Sequence, residues 1–273
     1  MLSIALGLGL AFSATAKEWK SITIATEGAY QPWNITLPGG KIGGFEPELM
    51  DNLCQRMQIK CTIVVQNWDG MIAGLQAGKF DVIMDSIVIT PDREKQVDFT
   101  IPYASTPATF VSLKGQLLPP PKADAPALTI SGTADQNKQA LAALRTALKG
   151  KTIGIATGNV YNAFLDKYFS DIATIRQYST SADAFLDLQT ERIDAVLDDE
   201  TISQSMITSK GYENLDYMGP KLKGTELGGV EAFGVRKSDA DLREKLNVAL
   251  KAAIADGTVK TLSEKWFKTD VTP

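Results

Sequence analysis

Apolar and polar positions along the chain repeat in two rhythms. "SITIAT" (21–26) alternates and is rich in β-branched residues, which predicts a strand. "EGAYQPWNITLPGGKIGG" is punctuated by Gly and Pro and predicts a loop. In "FEPELMDNLCQRM", Phe45, Leu49, Leu53 and Met57 recur at helical spacing. "CTIVVQ" predicts a strand, and "DGMIAGLQAGK" a helix with Asp69 as N-cap and Gly78 as its stop. "FDVIMDSI" predicts a strand, and "PDREKQVD" a short helix capped by Thr90 with Pro91 in its first position. The order βαβαβα implies an α/β fold, with a mostly parallel sheet and helices on both faces.

The rhythm then restarts. After "FVSLKG" comes "QLLPPPKADAPALTISGTADQNK", a surface excursion rich in Pro and Ala. "QALAALRTALKG" predicts a helix, "KTIGIAT" a strand, "NVYNAFLDKYF" a helix and "ATIRQYS" a strand. "SADAFLDLQTER" predicts a helix, "IDAVLDD" a strand and "ETISQSMITSKG" a helix. The tail carries two helices around Asp256-Gly257. Two units of one order imply two lobes, and 273 residues suit two domains or one domain with a large insertion.

In such sheets ligands sit beyond the carboxyl ends of the strands. There the chain places Glu27, with Tyr30 and Trp33 in the following loop; Trp68; Asp85 and Ser86, with Arg93 a little further on; then Asn159, Val160, Asp198 and Asp199. Four of them have a plain alternative. Arg93 could be a solvated helix residue, Asp199 a helix N-cap, Glu27 a turn residue and Trp68 core. Arg93 stands in the first turn of a helix, where the dipole disfavours a cation unless an anion is near. A ligand carboxylate, gripped by the guanidinium fork, is such an anion. An aspartate can cap a helix and face a ligand ammonium as well; Asp198 points the other way if its strand persists. Tyr30 and Trp33 beside Glu27 argue for a pocket wall that suits a cation. Asp85 ends an apolar strand, where an unpaired carboxylate is costly, so it is expected to meet a cation, from the ligand or from the protein. "GIATGNV" is a weak phosphate loop, but its turn can offer N–H donors to a carboxylate.

Composition narrows the chemistry. The chain has no histidine, which removes the commonest general base and metal ligand; no metal or cofactor site is expected. A net charge of −4 disfavours nucleic acid and anionic membrane. Leu2 to Phe12 form a short apolar run, and "SATA" supplies small residues, so residues 1–16 read as a cleavable export signal lacking its basic start, with a short buried helix as the alternative. Cys54 and Cys61 in an exported chain point to a disulfide, with two free buried thiols as the alternative.

Taken together, "ITIATEGAYQPWN", "GGFEPELMDNLCQRMQIKC", "QNWDGMIAGLQAGKFDVIMDSIVITPDREKQVDF", "IGIATGN", "RIDAVLDDE" and "DGTVKTLSEKWF" resemble the polar amino-acid-binding receptors of ABC importers. The likeness is to the lysine/arginine/ornithine- and histidine-binding group, and within it to the octopine/nopaline branch. It implies a two-lobed periplasmic binding protein fold joined by a two-segment hinge. Lobe 1 would take residues 17–104 and 234–273, lobe 2 residues 109–229, and the hinge residues 105–108 and 230–233. By the same resemblance Arg93 pairs with the ligand α-carboxylate, Asp199 holds the α-ammonium and Ser86 contacts the same amine. Glu27 faces the distal cation, Trp68 forms a wall, and Cys54 and Cys61 form the family disulfide. The ligand would be a cationic amino acid or an arginine-derived opine, the partner an inner-membrane ABC permease, and the protein a periplasmic monomer. Three positions depart from the pattern: Asp85 replaces a usual Ser, and Val88 and Val160 replace ligand-facing hydroxyls. They leave room for an N-substituted ligand. The Pro-rich stretch 117–127 resembles the opine branch. Two rivals share the scaffold: a cyclohexadienyl-dehydratase-like enzyme using Glu27 or Asp85 as acid, and a receptor reporting to a membrane kinase.

Overall fold

The computed structural model describes residues 18–122, 125–130, 135–224, 227 and 229–273; the expected export signal, 1–16, lies outside them. Two lobes each carry one main sheet. The first has the order Lys60–Val65, Ser21–Thr26, Val82–Ile83, Gly234–Val235, Asp98–Phe99. Its first three strands are parallel, as the βαβαβ order requires, and Gly234–Val235 runs antiparallel to both neighbours. The second sheet has the order Thr174–Tyr178, Thr152–Ala156, Ala195–Asp199, Ala108–Leu113, Leu215–Lys223, Leu128–Thr129. Again three strands are parallel, and Ala108–Leu113 is antiparallel to the strands beside it. The antiparallel strands are those that enter each lobe from the other one. The tail helices Ala240–Ala255 and Thr258–Phe267 pack against Phe45–Met57 of the first lobe.

The helix Phe45–Met57 has the expected bounds. Its leading N–H groups are satisfied from the preceding loop: Phe45 N donates to Pro32 O at 3.0 Å and Glu46 N to Trp33 O at 3.0 Å. The approach is close enough to demand Gly44, whose φ is 124° and whose added Cβ would lie 2.4 Å from Trp33 O. That loop is itself a small antiparallel sheet, Ala29–Tyr30, Asn34–Thr36 and Ile42–Gly43, where irregular chain was expected. Its tight turn is the Leu37-Pro38-Gly39-Gly40 stretch, with Leu37 N bonded to Lys41 O at 2.8 Å.

Folding this meander over the helix end takes Trp33 into the core. The indole is 0% exposed and packs on Phe267, Phe45 and Tyr103 with ring centroids 4.6, 5.5 and 6.3 Å away. Trp33 is therefore not part of a ligand-facing wall, contrary to the expectation for that loop. Cys54, on the last turns of the same helix, is bonded to Cys61 on the returning strand, with Cα atoms 6.2 Å apart.

Three other expectations shift. Asp69 does not cap a helix: a 3₁₀ turn at Trp68–Gly70 leads into Met71–Gln76. The helix begun by Thr90 and Pro91 stops at Glu94, although the Thr90 hydroxyl accepts from Arg93 N as a cap should. The strand expected over 80–87 is regular only at Val82–Ile83, because the chain turns away after Met84 and carries Asp85 and Ser86 to the sheet end.

The two crossover segments lie side by side. Glu231 bridges both Val88 and Ala104, and Ser105 Oγ donates to Gly229 O at 2.7 Å. The lobes also touch directly. Tyr30 Oη bonds Asp198 at 2.9 Å, and Trp33 Nε1 bonds Thr201 Oγ1 at 2.7 Å.

Candidate functional site

A cleft of about 580 Å³, counted with its open mouth, lies between the lobes at the carboxyl ends of the parallel strands. Glu27, Tyr30, Trp68, Asp85, Ser86, Val88, Arg93, Asn159, Val160 and Asp199 all line it, so ten of the expected ligand-facing residues converge and Trp33 does not.

The lobe 1 wall rests on a buried polar network. Asp85 Oδ1 accepts from Thr26 Oγ1 at 3.1 Å, Glu27 N at 3.0 Å and Asn34 Nδ2 at 2.9 Å. These partners are neutral donors, so of the two sources expected for a cation, ligand or protein, the protein supplies none of these three bonds. Asn34 also donates to Glu46 Oε2 at 3.1 Å, and Tyr103 Oη donates to Glu46 Oε1. Glu46 Oε1 in turn accepts from Ser86 N at 2.7 Å. Ser86 has φ 46°, a left-handed conformation that costs an ordinary residue about 1–2 kcal/mol. The bond to Glu46, a fully buried acid whose pKa burial raises, fixes Ser86 at the cleft.

Arg93 is braced rather than free. Nη1 donates to Val88 O at 2.9 Å and Nη2 to Gly158 O, from lobe 2, at 3.3 Å. The guanidinium carbon sits 5.0 Å from the Trp68 ring centroid. Gly158 approaches the same indole, since a Cβ on it would lie 2.9 Å from Trp68 Nε1. A guanidinium has five N–H donors, so Arg93 keeps several for a carboxylate. Burial lowers its pKa to about 10, which leaves it charged at neutral pH. The Gly158 loop thus contributes a carbonyl to Arg93. Its N–H groups are partly spent locally, with Asn159 N on Ala156 O at 3.3 Å and Tyr161 N on Asn159 Oδ1 at 3.0 Å.

On the lobe 2 wall Asp199 does cap the helix Glu200–Ile207, accepting from Thr201 N at 2.7 Å, and it lines the cleft as well. Thr201 Oγ1 donates to Asp199 Oδ1 while accepting from Trp33 Nε1. Trp33 therefore positions Asp199 from behind. Asp198 faces away from the cleft, as strand alternation requires, and holds the cleft residues Tyr30 and Ser181 by their hydroxyls.

Sequence reasoning missed Glu231, Tyr161 and Ser179–Ser181 as lining residues. Glu231 was detectable, because it is a carboxylate inside the apolar run "VEAF", the same signal that marked Asp85. It is 2% exposed, and its Oε1 accepts from Thr106 Oγ1 at 2.9 Å. Thr106 also donates toward Asp199 Oδ2.

Among the described residues that line the cleft, Arg93 is the one cation, against Glu27, Asp85, Asp199 and Glu231. Burial, then Asp198 and Asp69, pushes Glu27 up to about 7. Burial, then Asp199, pushes Glu231 up to about 8. Burial raises Asp85 well above the carboxylate range, with Glu27 and Glu46 adding to it, and burial raises Asp199. The acids crowd one another and wait for positive charge.

Comparison with known proteins places this geometry. The family model for bacterial extracellular solute-binding proteins, family 3, matches residues 22–269. An octopine-binding periplasmic protein of Rhizobium meliloti is 38% identical over 97% of this chain and 95% of that protein. An L-arginine-binding protein of Pseudomonas aeruginosa is 31% identical over 98% of this chain and 95% of its own. A Salmonella typhimurium periplasmic binding protein of high arginine specificity superposes with a TM-score of 0.76 at 25% identity, covering 91% of this chain and 99% of that one. These relatives are binding proteins, and each matches along nearly its whole length. The chain belongs to the bacterial extracellular solute-binding proteins of family 3.

Proposed function

We propose that this protein is the periplasmic receptor of an ABC importer, a binder and not a catalyst, for a cationic amino acid or an arginine-derived opine. The observation that carries the reading is one guanidinium set among four carboxylates in an interlobe cleft. Arg93 takes the ligand α-carboxylate, with Trp68 as its stacking wall. Asp199 takes the α-ammonium, assisted by Ser86, and Glu27 faces the distal cation. The names of the octopine- and arginine-binding relatives support a ligand of this class. Residues 17–104 with 234–273, and 109–229, are the moving bodies, and 105–108 and 230–233 the hinge. The ligand docks on lobe 1, lobe 2 closes over it, and an inner-membrane permease recognises the closed monomer.

Proton linkage follows from the acids. Glu27 and Glu231, raised to about 7 and about 8, carry protons in the empty cleft near neutral pH. A cationic ligand favours their charged forms, so binding releases protons and affinity rises with pH. Calorimetry with L-arginine, L-lysine, L-ornithine and octopine tests this. At least one binds, about tenfold more weakly at pH 6 than at pH 8. Repeating the titration in phosphate and Tris shows net proton release at pH 7. Affinity that is flat between pH 6 and pH 8 contradicts the linkage, and failure of all four ligands contradicts the receptor reading.

A further inference from the structure

We propose that Glu231 contacts the ligand, and that with Asp199 it forms a two-carboxylate seat for an unsubstituted primary ammonium. The cleft then selects a basic amino acid with a free α-amine over its N-carboxyalkyl (opine) derivative. This inference rests on the receptor reading above and narrows its ligand class.

Three observations converge. Glu231 lines the cleft from the crossover segment at 2% exposure, and among the described residues its Oε2 has no hydrogen-bond partner. Once Glu231 ionises, a buried carboxylate oxygen left without a donor is costly, so a ligand donor satisfies it. Second, Thr106 Oγ1 lies between Asp199 Oδ2 and Glu231 Oε1. A hydroxyl has one proton, so it serves one acid at a time and the pair remains short of donors. A primary ammonium brings three N–H donors and a positive charge to that shared position.

Third, an opine nitrogen has lost a donor and carries an extra carboxylate within a few bonds. On this wall that carboxylate meets Asp199 and Glu231, while the cleft's one cation, Arg93, already holds the first carboxylate. Three of the cleft hydroxyls are committed to acids: Ser181 to Asp198, Tyr30 to Asp198 at 2.9 Å, and Thr180 to Asp183 at 2.8 Å. Val88 and Val160, which stand where the resembled receptors carry hydroxyls, offer no side-chain donor either. An unpaired carboxylate among buried acids is a repulsive element that rejects the wrong ligand. The valines that seemed to leave room for an N-substituent therefore also deny it two side-chain donors.

The test is calorimetry at pH 8 on the wild-type chain and Glu231→Gln, with L-arginine, Nα-methyl-L-arginine and octopine. L-Arginine binds the wild type about tenfold or more tighter than octopine, with the N-methyl compound between them. Glu231→Gln weakens L-arginine by about tenfold and octopine by much less, so the ratio narrows. Octopine binding the wild type as tightly as L-arginine overturns the proposal, as does a variant that weakens both equally. If Glu231→Gln does not fold, judged by its thermal transition, the three wild-type affinities decide alone. Wild type that binds neither arginine, lysine, ornithine nor octopine overturns the receptor reading as well, whereas octopine preference overturns this inference only.

Discussion

Arg93→Ala weakens binding of the preferred basic amino acid by on the order of a thousandfold. Truncating one member of a buried, hydrogen-bonded charge pair costs roughly 2–5 kcal/mol, much of it from leaving the other charge unpaired. Here the ligand carboxylate loses the one cation lining the cleft and faces four acids. The same change removes the bond from Arg93 to Gly158 O, which brings the lobes together, and the packing on Trp68 within lobe 1. Arg93→Lys restores charge without the planar fork, and it recovers only part of the affinity. Calorimetry at pH 8 reads both variants. Unchanged affinity in Arg93→Ala means the carboxylate sits elsewhere.

Trp33→Ala acts on stability first. Removing a fully buried indole costs about 3–5 kcal/mol. In a chain of this size each kcal/mol moves the midpoint by about 2–4 °C, so the unliganded protein unfolds roughly 6–20 °C lower. The damage reaches the site through Thr201, which loses the indole N–H donor while still bonding Asp199. Trp33→Phe keeps most of the burial and loses the donor, so its cost is smaller, about 1–3 kcal/mol. Thermal unfolding by circular dichroism without ligand separates the two roles. A Trp33→Ala protein that melts like wild type but binds poorly returns Trp33 to the ligand-facing wall.

How much of this was legible depends on how local each feature is. Helix Phe45–Met57 reads correctly from spacing alone because its apolar stripe is unbroken and Gly44 marks its start. Thr90, Pro91 and Arg93 read correctly because capping is decided within four residues. Asp199 carries two roles that sequence could state side by side, and the structure keeps the cap while placing the same carboxylate on the cleft. Trp33 was misread because a loop aromatic suits a pocket or a core equally. The deciding contact, with Phe267, comes from 234 residues further along the chain. Asp85 was expected to find a cation from the ligand or the protein; its protein donors Thr26, Glu27 and Asn34 were not foreseen, because strand pairing and a meander that no periodicity announced bring them in. Glu231 lay in plain view but in a crossover stretch, and only the pairing of that stretch with Val88 and Ala104 turns it toward the site. The antiparallel strand Leu215–Lys223 shows the same limit, since its edge is defined by Ala108–Leu113 and not by its own pattern.

The interlobe cleft as a seat for a cation-bearing amino acid is tested most directly by a thermal-shift titration of the wild-type protein at pH 8. The ligands are L-arginine, L-lysine, L-ornithine and octopine, with L-glutamate and L-leucine as the acidic and neutral comparisons. At a hundred times its dissociation constant a ligand adds about 2.7 kcal/mol, a rise of several degrees. At least one cationic ligand raises the midpoint by that amount, and L-glutamate and L-leucine leave it in place. A rise with L-glutamate or L-leucine alone, or no rise with any cationic ligand, contradicts the charge logic on which the site is built.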